Sequence, residues 1–458
     1  MIPEIGLIIT IIFMCWIFFN SGKKPEYLII IPFIVSTNLF GFASSNFLYT
    51  KGLLDTIDYG TLITLFISIS YRSQRKYQLT QKFSNYNKFF KYFFLLLTII
   101  LVYSILFYFD IKAPMKNFKR YLNYIDYFFL LNFFSYLTEY QIRRLINFIE
   151  VITLSLSFFY ILNYGLGITI FKIKPYWEGN FLNIVAYRTF DTLPYFILFI
   201  IAKNVFEREI SYRTILKLFI LLFAIFLTYT RSLYLIAVIL LVSPIILRPF
   251  STSQQKLSSL NYLFKISFFF IAFILFVTIR FTANLEFFMS RLEGINSISS
   301  AIETSNAELR QNIIIDRINM VQKTNPIIGL GFFEGKAVPE YSGALYDNSG
   351  RRGYLFSGDQ SIGNIIANLG FFGTAIFFYF LLFPPLYSIK RIFISKERDY
   401  ALDDILIAAS FSLIIEVLVI SYVSTNLVGN TDKISFYMAL IVSLASRKYS
   451  CKRSAADE

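Results

Sequence analysis

Gly358-Asp359-Gln360-Ser361-Ile362-Gly363-Asn364-Ile365-Ile366-Ala367-Asn368-Leu369-Gly370-Phe371-Phe372-Gly373 marks where the longest polar segment of the chain, Phe281 to Phe356, runs into an apolar helix. Gln360, Asn364 and Asn368 recur every four residues, so they share one helical face. Three carboxamides turned to lipid would be costly, so that face lines protein or water. Gly370 and Gly373 permit close approach of another helix. Asp359 stands just ahead of the helix. It is either an N-cap carboxylate or a base or acceptor-binding group at a membrane-level cavity.

Outward from this stretch the chain is mostly apolar. Of its 458 residues 56% are hydrophobic and 19% aromatic, and only 16% are charged, against about 25% in an average soluble domain. The apolar residues fall in long runs, and no short alternating segments suggest a β-barrel. The expected fold is an all-α polytopic membrane protein of about 12–14 transmembrane helices with one large extracytoplasmic loop. The spans read as roughly 5–20, 27–43, 56–71, 89–109, 122–138, 146–165, 191–206, 214–230, 232–248, 264–280, 362–389, 404–425 and 432–446. No linker or internal repeat divides the chain, so residues 1–458 read as one domain, with 281–361 as its large loop and short helices within it.

Several function classes drop out. The chain has no histidine, which removes imidazole bases and most zinc or iron sites. Cys15 and Cys451 support no disulfide framework. Met1-Ile2-Pro3 lacks the basic region of a cleavable signal peptide. The net charge of +14 fits topology anchoring better than nucleic-acid binding, because most cations flank helices. Lys23-Lys24, Arg72 to Lys88, Arg143-Arg144, Arg208 to Lys217, Lys390 to Arg398 and Arg447 to Arg453 fall on one side if the N-terminus is outside. That side is then the cytoplasm, and the large loop faces out.

The exceptions to this bias carry the functional reading. Lys112, Lys116, Lys119 and Arg120 lie in an outer loop, 110–121. Lys172, Lys174 and Arg188 lie in another, 166–190, and Arg231 and Arg280 sit at outer helix ends. A missed span would explain the excess blandly. An anionic ligand explains it better, since guanidinium groups match phosphate oxygens. Arg231 interrupts the apolar run 214–247, either as a snorkelling anchor or as a cation facing a wet cavity. Arg188 is three residues from Asp191, as an ion pair or as a free phosphate ligand. Glu308 to Gln322 reads as an amphipathic helix with Arg310 and Arg317 on one face, ended by Asn325-Pro326. Glu416 is the deepest charge, either functional or a buried partner for an arginine. Glu150 is a weaker case of the same kind.

Four stretches, in order, resemble the C-terminal half of the O-antigen polymerase and O-antigen ligase superfamily. Thr228-Tyr229-Thr230-Arg231-Ser232 resembles its Thr-x-Ser-Arg signature. Arg310 followed by Asn325-Pro326-Ile327-Ile328-Gly329-Leu330-Gly331 resembles its Arg … His-Pro-x-x-Gly-x-Gly stretch. Asp359-Gln360 … Gly370-Phe371-Phe372-Gly373 has the spacing of its His-Asn … Gly-Leu-Leu-Gly element, and Arg188 stands where the family has an earlier outer-loop arginine. The ligases carry histidine where this chain has Asp359 and Asn325, so the polymerase branch is favoured.

The resemblance implies a GT-C-like, metal-independent glycosyltransferase without cofactor, in the bacterial inner membrane. Its substrate would be an undecaprenyl-diphosphate-linked oligosaccharide in the bilayer, with a chain-length regulator and a flippase as partners. The N-terminus would be periplasmic and the C-terminus cytoplasmic. Asp359, Arg231 and Arg188 become the catalytic candidates. Arg310, Arg317, Arg280, Gln360, Asn364 and Glu416 become the substrate-binding ones, with Glu334 a further candidate acid. An O-antigen ligase and a lipid-linked oligosaccharide flippase are the alternatives; an O-acyltransferase is disfavoured by the lack of histidine.

Overall fold

The computed structural model describes residues 3–37, 56–71, 79–109, 111–166, 175–178, 185–187, 194–207, 211–226, 231–246, 306–332, 345–346, 352–353, 361–394, 400–420 and 431–454. In chain order the helices are α1 (Pro3–Asn20), a 3-10 turn (Pro25–Ile29) with α2 (Ile30–Ser36), α3 (Thr56–Ser70) and α4 (Gln81–Tyr108). Next come α5 (Lys112–Leu122), α6 (Asp126–Tyr136), α7 (Glu139–Leu166), α8 (Pro194–Phe206), α9 (Tyr212–Phe226) and α10 (Arg231–Ile246). The last are α11 (Asn306–Thr324), α12 (Ser361–Ile394), α13 (Tyr400–Ile415) with a π-helical turn (Glu416–Ile420), and α14 (Thr431–Ser454).

The architecture is that of an all-α membrane protein. Gln81–Tyr108, Glu139–Leu162 and Ile362–Ile392 are each long and apolar enough to cross a bilayer. Ile8–Asn20, Pro25–Ser36, Thr56–Ser70 and Phe196–Phe206 are shorter apolar helices. The span expected at 264–280 lies outside the described residues. Two short antiparallel pairs occur in the polar segments: β1 (Pro175–Glu178) with β2 (Val185–Tyr187), and β3 (Leu345–Tyr346) with β4 (Arg352–Gly353). Pairing satisfies backbone groups that no helix takes up there.

Three expectations need correction. Residues 112–122 form a helix, not a loop, and Lys119 is held 2.5 Å from Asp58 of α3. That cation answers a carboxylate of its own chain. The span placed at 89–109 begins at Gln81. The helix after the large loop is broken at Gly370 (φ 66°, ψ −175°). Its lower segment, 371–394, is about 36 Å long at 1.5 Å per residue, enough to cross about 30 Å of hydrocarbon alone. The 361–369 segment is therefore surplus to the crossing.

The aromatic richness builds the packing between α4, the 3-10 turn Asn123–Ile125 that leads into α6, and α12. Phe90 packs on Phe380 with ring centres 4.7 Å apart, Phe93 on Phe377 at 5.7 Å, and Tyr124 on Phe377 at 5.3 Å. Tyrosine hydroxyls also repair the helix. Pro384 cannot donate to the carbonyl of Phe380, and the Tyr86 hydroxyl donates to it instead at 2.8 Å. In α10, Ser243 donates at 2.6 Å to Leu240, the carbonyl that Pro244 leaves without a donor.

Candidate functional site

The segment Asn325 to Phe332 is built to dock against a broken helix. Pro326 discourages helix at the residue before it, so α11 stops at Thr324. The Asn325 side chain then caps the turn, its Oδ1 accepting from the backbone N–H groups of Ile327 and Ile328, both at 3.1 Å. Gly329 and Gly331 take positive φ of 77° and 76°, a region glycine enters without steric cost.

The docking replaces a helical hydrogen bond. In an unbroken α12 the N–H of Phe371 would reach the carbonyl of Ala367. Instead the Phe371 N–H donates to the Pro326 carbonyl at 2.9 Å, and the Ala367 carbonyl accepts from Leu330 N–H at 2.7 Å. Both groups freed by the break at Gly370 are thus satisfied by one loop. The fit is backbone against backbone: a Cβ on Gly329 would lie 2.5 Å from both the Ala367 oxygen and the Gly370 nitrogen. A Cβ on Gly370 would overlap the Ile327 carbonyl. Gly370 was expected to admit a neighbouring helix; it admits this loop. At Gly373 an added Cβ would meet Leu369 of the same helix at 2.8 Å, a consequence of the break.

The end of α4 and the end of α5 hold the other side of the loop. The Tyr108 hydroxyl donates to the Leu330 carbonyl at 2.8 Å, and Phe332 N–H donates to Ser104 Oγ at 2.7 Å. The Phe332 ring lies between Phe118 and Tyr121. Val321, Leu330, Ile366 and Ala367 form a small core that fastens α11 to the 361–369 segment.

This platform sets one expected site residue, Arg317, against the helix segment that carries another, Asn364. Arg317 is fully buried, and a Cβ on Gly363 would lie 2.8 Å from its Nη1 and 3.0 Å from its Cδ. The guanidinium therefore rests over Gly363, the residue before Asn364. Burial pushes the Arg317 guanidinium down to about 10, which still leaves it a cation at neutral pH. Asn364 is half-buried, and one turn on Asn368 donates to the Tyr121 hydroxyl at 3.3 Å. Arg310 lies two helical turns before Arg317 on α11, and Arg231 opens α10; their side chains, and Arg188, Arg280, Asp359, Gln360, Asp191 and Glu334, lie outside the described residues. α10 packs on α8 and touches the π-helical turn at Glu416, which also touches α12.

Glu416 is fully buried, and its charge is met by Lys433 of α14, itself only 3% exposed. A lysine rather than an arginine is the partner. Glu150 likewise accepts from Lys203 and from Asn204 at 3.2 Å, with Lys217 at 2.7 Å. Sequence reasoning missed Lys433, because it borders the expected span and looks like an anchor. It also missed Tyr121, whose only signal was the recurrence Tyr121, Tyr124, Tyr127 at helical spacing.

Among the described residues no group of three or more Asp, Glu or Cys residues is placed to hold a metal ion. The fold and this platform define a helical membrane protein in which Arg317, Asn364 and Asn368 lie on the two helices that the Asn325–Phe332 loop joins to the bundle. Residues 216–378 match the family model for O-antigen ligase, a range that takes in α9, α10, α11, the docked loop and the break at Gly370. No curated protein matches the chain. The match is consistent with the O-antigen polymerase and ligase superfamily, a glycosyltransferase-like family whose substrate is lipid-linked polysaccharide in a membrane.

Proposed function

We propose that the protein is a bacterial polymerase of O-antigen or a related surface polysaccharide. It transfers a growing glycan from undecaprenyl diphosphate to the next lipid-linked repeat unit, without a metal, at the periplasmic face of the inner membrane. The observation that carries the reading is the Arg317 guanidinium buried over the head of the carboxamide face, on the helix that also bears Arg310. The orientation puts the N-terminus in the periplasm, the C-terminus in the cytoplasm and residues 281–361 outside, in a single integral membrane domain.

In the reaction the acceptor hydroxyl oxygen bonds to the anomeric carbon, and the bond from that carbon to the diphosphate oxygen breaks. The electron pair leaves with the diphosphate. Arg188, Arg231, Arg310, Arg317 and Arg280 bind that diphosphate and stabilise its growing charge. Asp359 accepts the hydroxyl proton or orients the hydroxyl; an ordinary Asp, with pKa about 3.9, is a weak base, so orientation carries much of the effect. Gln360 and Asn364 hydrogen-bond the sugars. Glu416, neutralised by Lys433, supports the face from behind through the π-helical turn. A chain-length regulator and a flippase would act alongside.

Ligation is the second reading, favoured by the description of the matched family. The residues Asp359 and Asn325, where the ligases have histidine, favour polymerisation. Purified protein given pre-flipped lipid-linked repeat units separates them. A ladder of longer glycans is expected. Transfer to a lipid-core acceptor without lengthening would make it a ligase, and translocation alone would make it a flippase.

A further inference from the structure

Phe109 closes α4 in a conformation that suits glycine. Its backbone is left-handed (φ 51°, ψ 27°), and its N–H still donates to the Ile105 carbonyl at 3.0 Å. Glycine or asparagine is the usual residue at such a cap, because a Cβ is strained there. No contact inside the chain offsets the strain, since the Phe109 side chain is 93% exposed. A ring kept at a strained position and turned out of the protein finds its contacts outside it. Residues 89–108 of α4 are about 30 Å long at 1.5 Å per residue, which brings Phe109 to the edge of the hydrocarbon. Leading up to it, Leu95, Ile99, Val102 and Leu106 are exposed and spaced to share one face of this membrane-crossing helix.

Cations follow at once. On one side of α5, Phe118 and Tyr121 pack on Phe332 of the docked loop. On the other, Met115, Lys116 and Arg120 are exposed. Lys116 and Arg120 lie one turn apart. Among the described residues neither has a carboxylate partner, whereas Lys119 between them reaches Asp58. A membrane surface offers hydrocarbon and phosphate at the same depth. A soluble acidic partner would meet the cations and leave Phe109 in water.

We propose that Phe109 and α5 form a binding site for an anionic phospholipid. Lys116 and Arg120 hold its headgroup phosphate, and its acyl chains lie on Phe109 and the apolar face of α4. The site is on the back of the helix that clasps the docked loop, and it is independent of the transferase reading.

The test is quenching of tryptophan fluorescence by dibrominated lipid in phosphatidylcholine vesicles. Phe109→Trp, in a chain that also carries Trp16→Phe and Trp177→Phe, reports the lipid beside position 109. Dibrominated phosphatidylglycerol should quench it more than dibrominated phosphatidylcholine at the same mole fraction, with a preference of about five-fold for each cation. Lys116→Gln/Arg120→Gln should bring the two lipids to equal quenching. Glycerol 3-phosphate, which has no acyl chain, should change nothing. Equal quenching before those substitutions, a preference that survives them, or displacement by glycerol 3-phosphate would overturn the site. Absence of quenching by either lipid would also overturn it and leave α5 to an acidic protein partner. If Phe109→Trp does not reach the membrane, mass spectrometry of lipid retained through detergent extraction reads the same preference with Phe109 in place. The parent should then retain more phosphatidylglycerol than Lys116→Gln/Arg120→Gln, and equal retention would overturn the site.

Discussion

Two buried polar regions of this protein set their cations against different kinds of neighbour. In the bundle, Glu416 meets Lys433, and Glu150 meets Lys203 and Lys217. At the platform, Arg317 lies over the backbone of Gly363. Paired charges deep in the bundle cancel within the protein and hold helices in register. Arg317 instead packs against bare helix backbone at the end of the bundle, where the Asn325–Phe332 loop docks. Intramembrane charge is therefore a poor pointer to function until its partner is known.

The contrast is most directly broken at Arg231. Arg231→Ala should remain in the membrane and make no long glycan, read from the glycan ladder of cells carrying the variant. A normal ladder would remove Arg231 from the mechanism. Next in size is Lys433→Met, which leaves the Glu416 carboxylate buried alone and should cost about 3–5 kcal/mol. Thermal unfolding in detergent measures it, and Glu416→Gln/Lys433→Met should recover most of the loss. If that double variant folds but makes no polymer, Glu416 belongs with the site and not with the scaffold.

Gly370→Ala should cost about 1–3 kcal/mol from the left-handed backbone alone, with the overlap on Ile327 added. It should shorten the glycans along with lowering the melting temperature, because the docked loop sets the 361–369 segment. The smallest effect is expected from Tyr121→Phe, which removes one hydrogen bond to Asn368, about 1 kcal/mol. A large activity loss at unchanged stability would promote Tyr121 from support to substrate contact.

Much of this was legible along the chain. The helical membrane class follows from apolar runs that no soluble core requires, and the place of Asn364 and Asn368 one turn apart on a helix follows from their spacing. The amphipathic helix ending before Asn325-Pro326 is also local, since its apolar periodicity and its stop lie within twenty residues. The role of Gly329-Leu330-Gly331 was not legible. Two glycines in a loop say that the backbone is permissive, but not what it approaches. The same is true of Gly370, which reads as a helix contact until the loop is seen in the break.

The sequence by itself determined the class of protein, the position of the large polar segment and the residue types available for chemistry. Those depend on composition and on periodicity within one element. Only the tertiary structure decided that Lys119 belongs to Asp58, that Glu416 belongs to Lys433, and that Arg317 belongs over Gly363. The pairings join residues 61, 17 and 46 positions apart, on different helices, and the last is set by a missing side chain; none of this leaves a local trace.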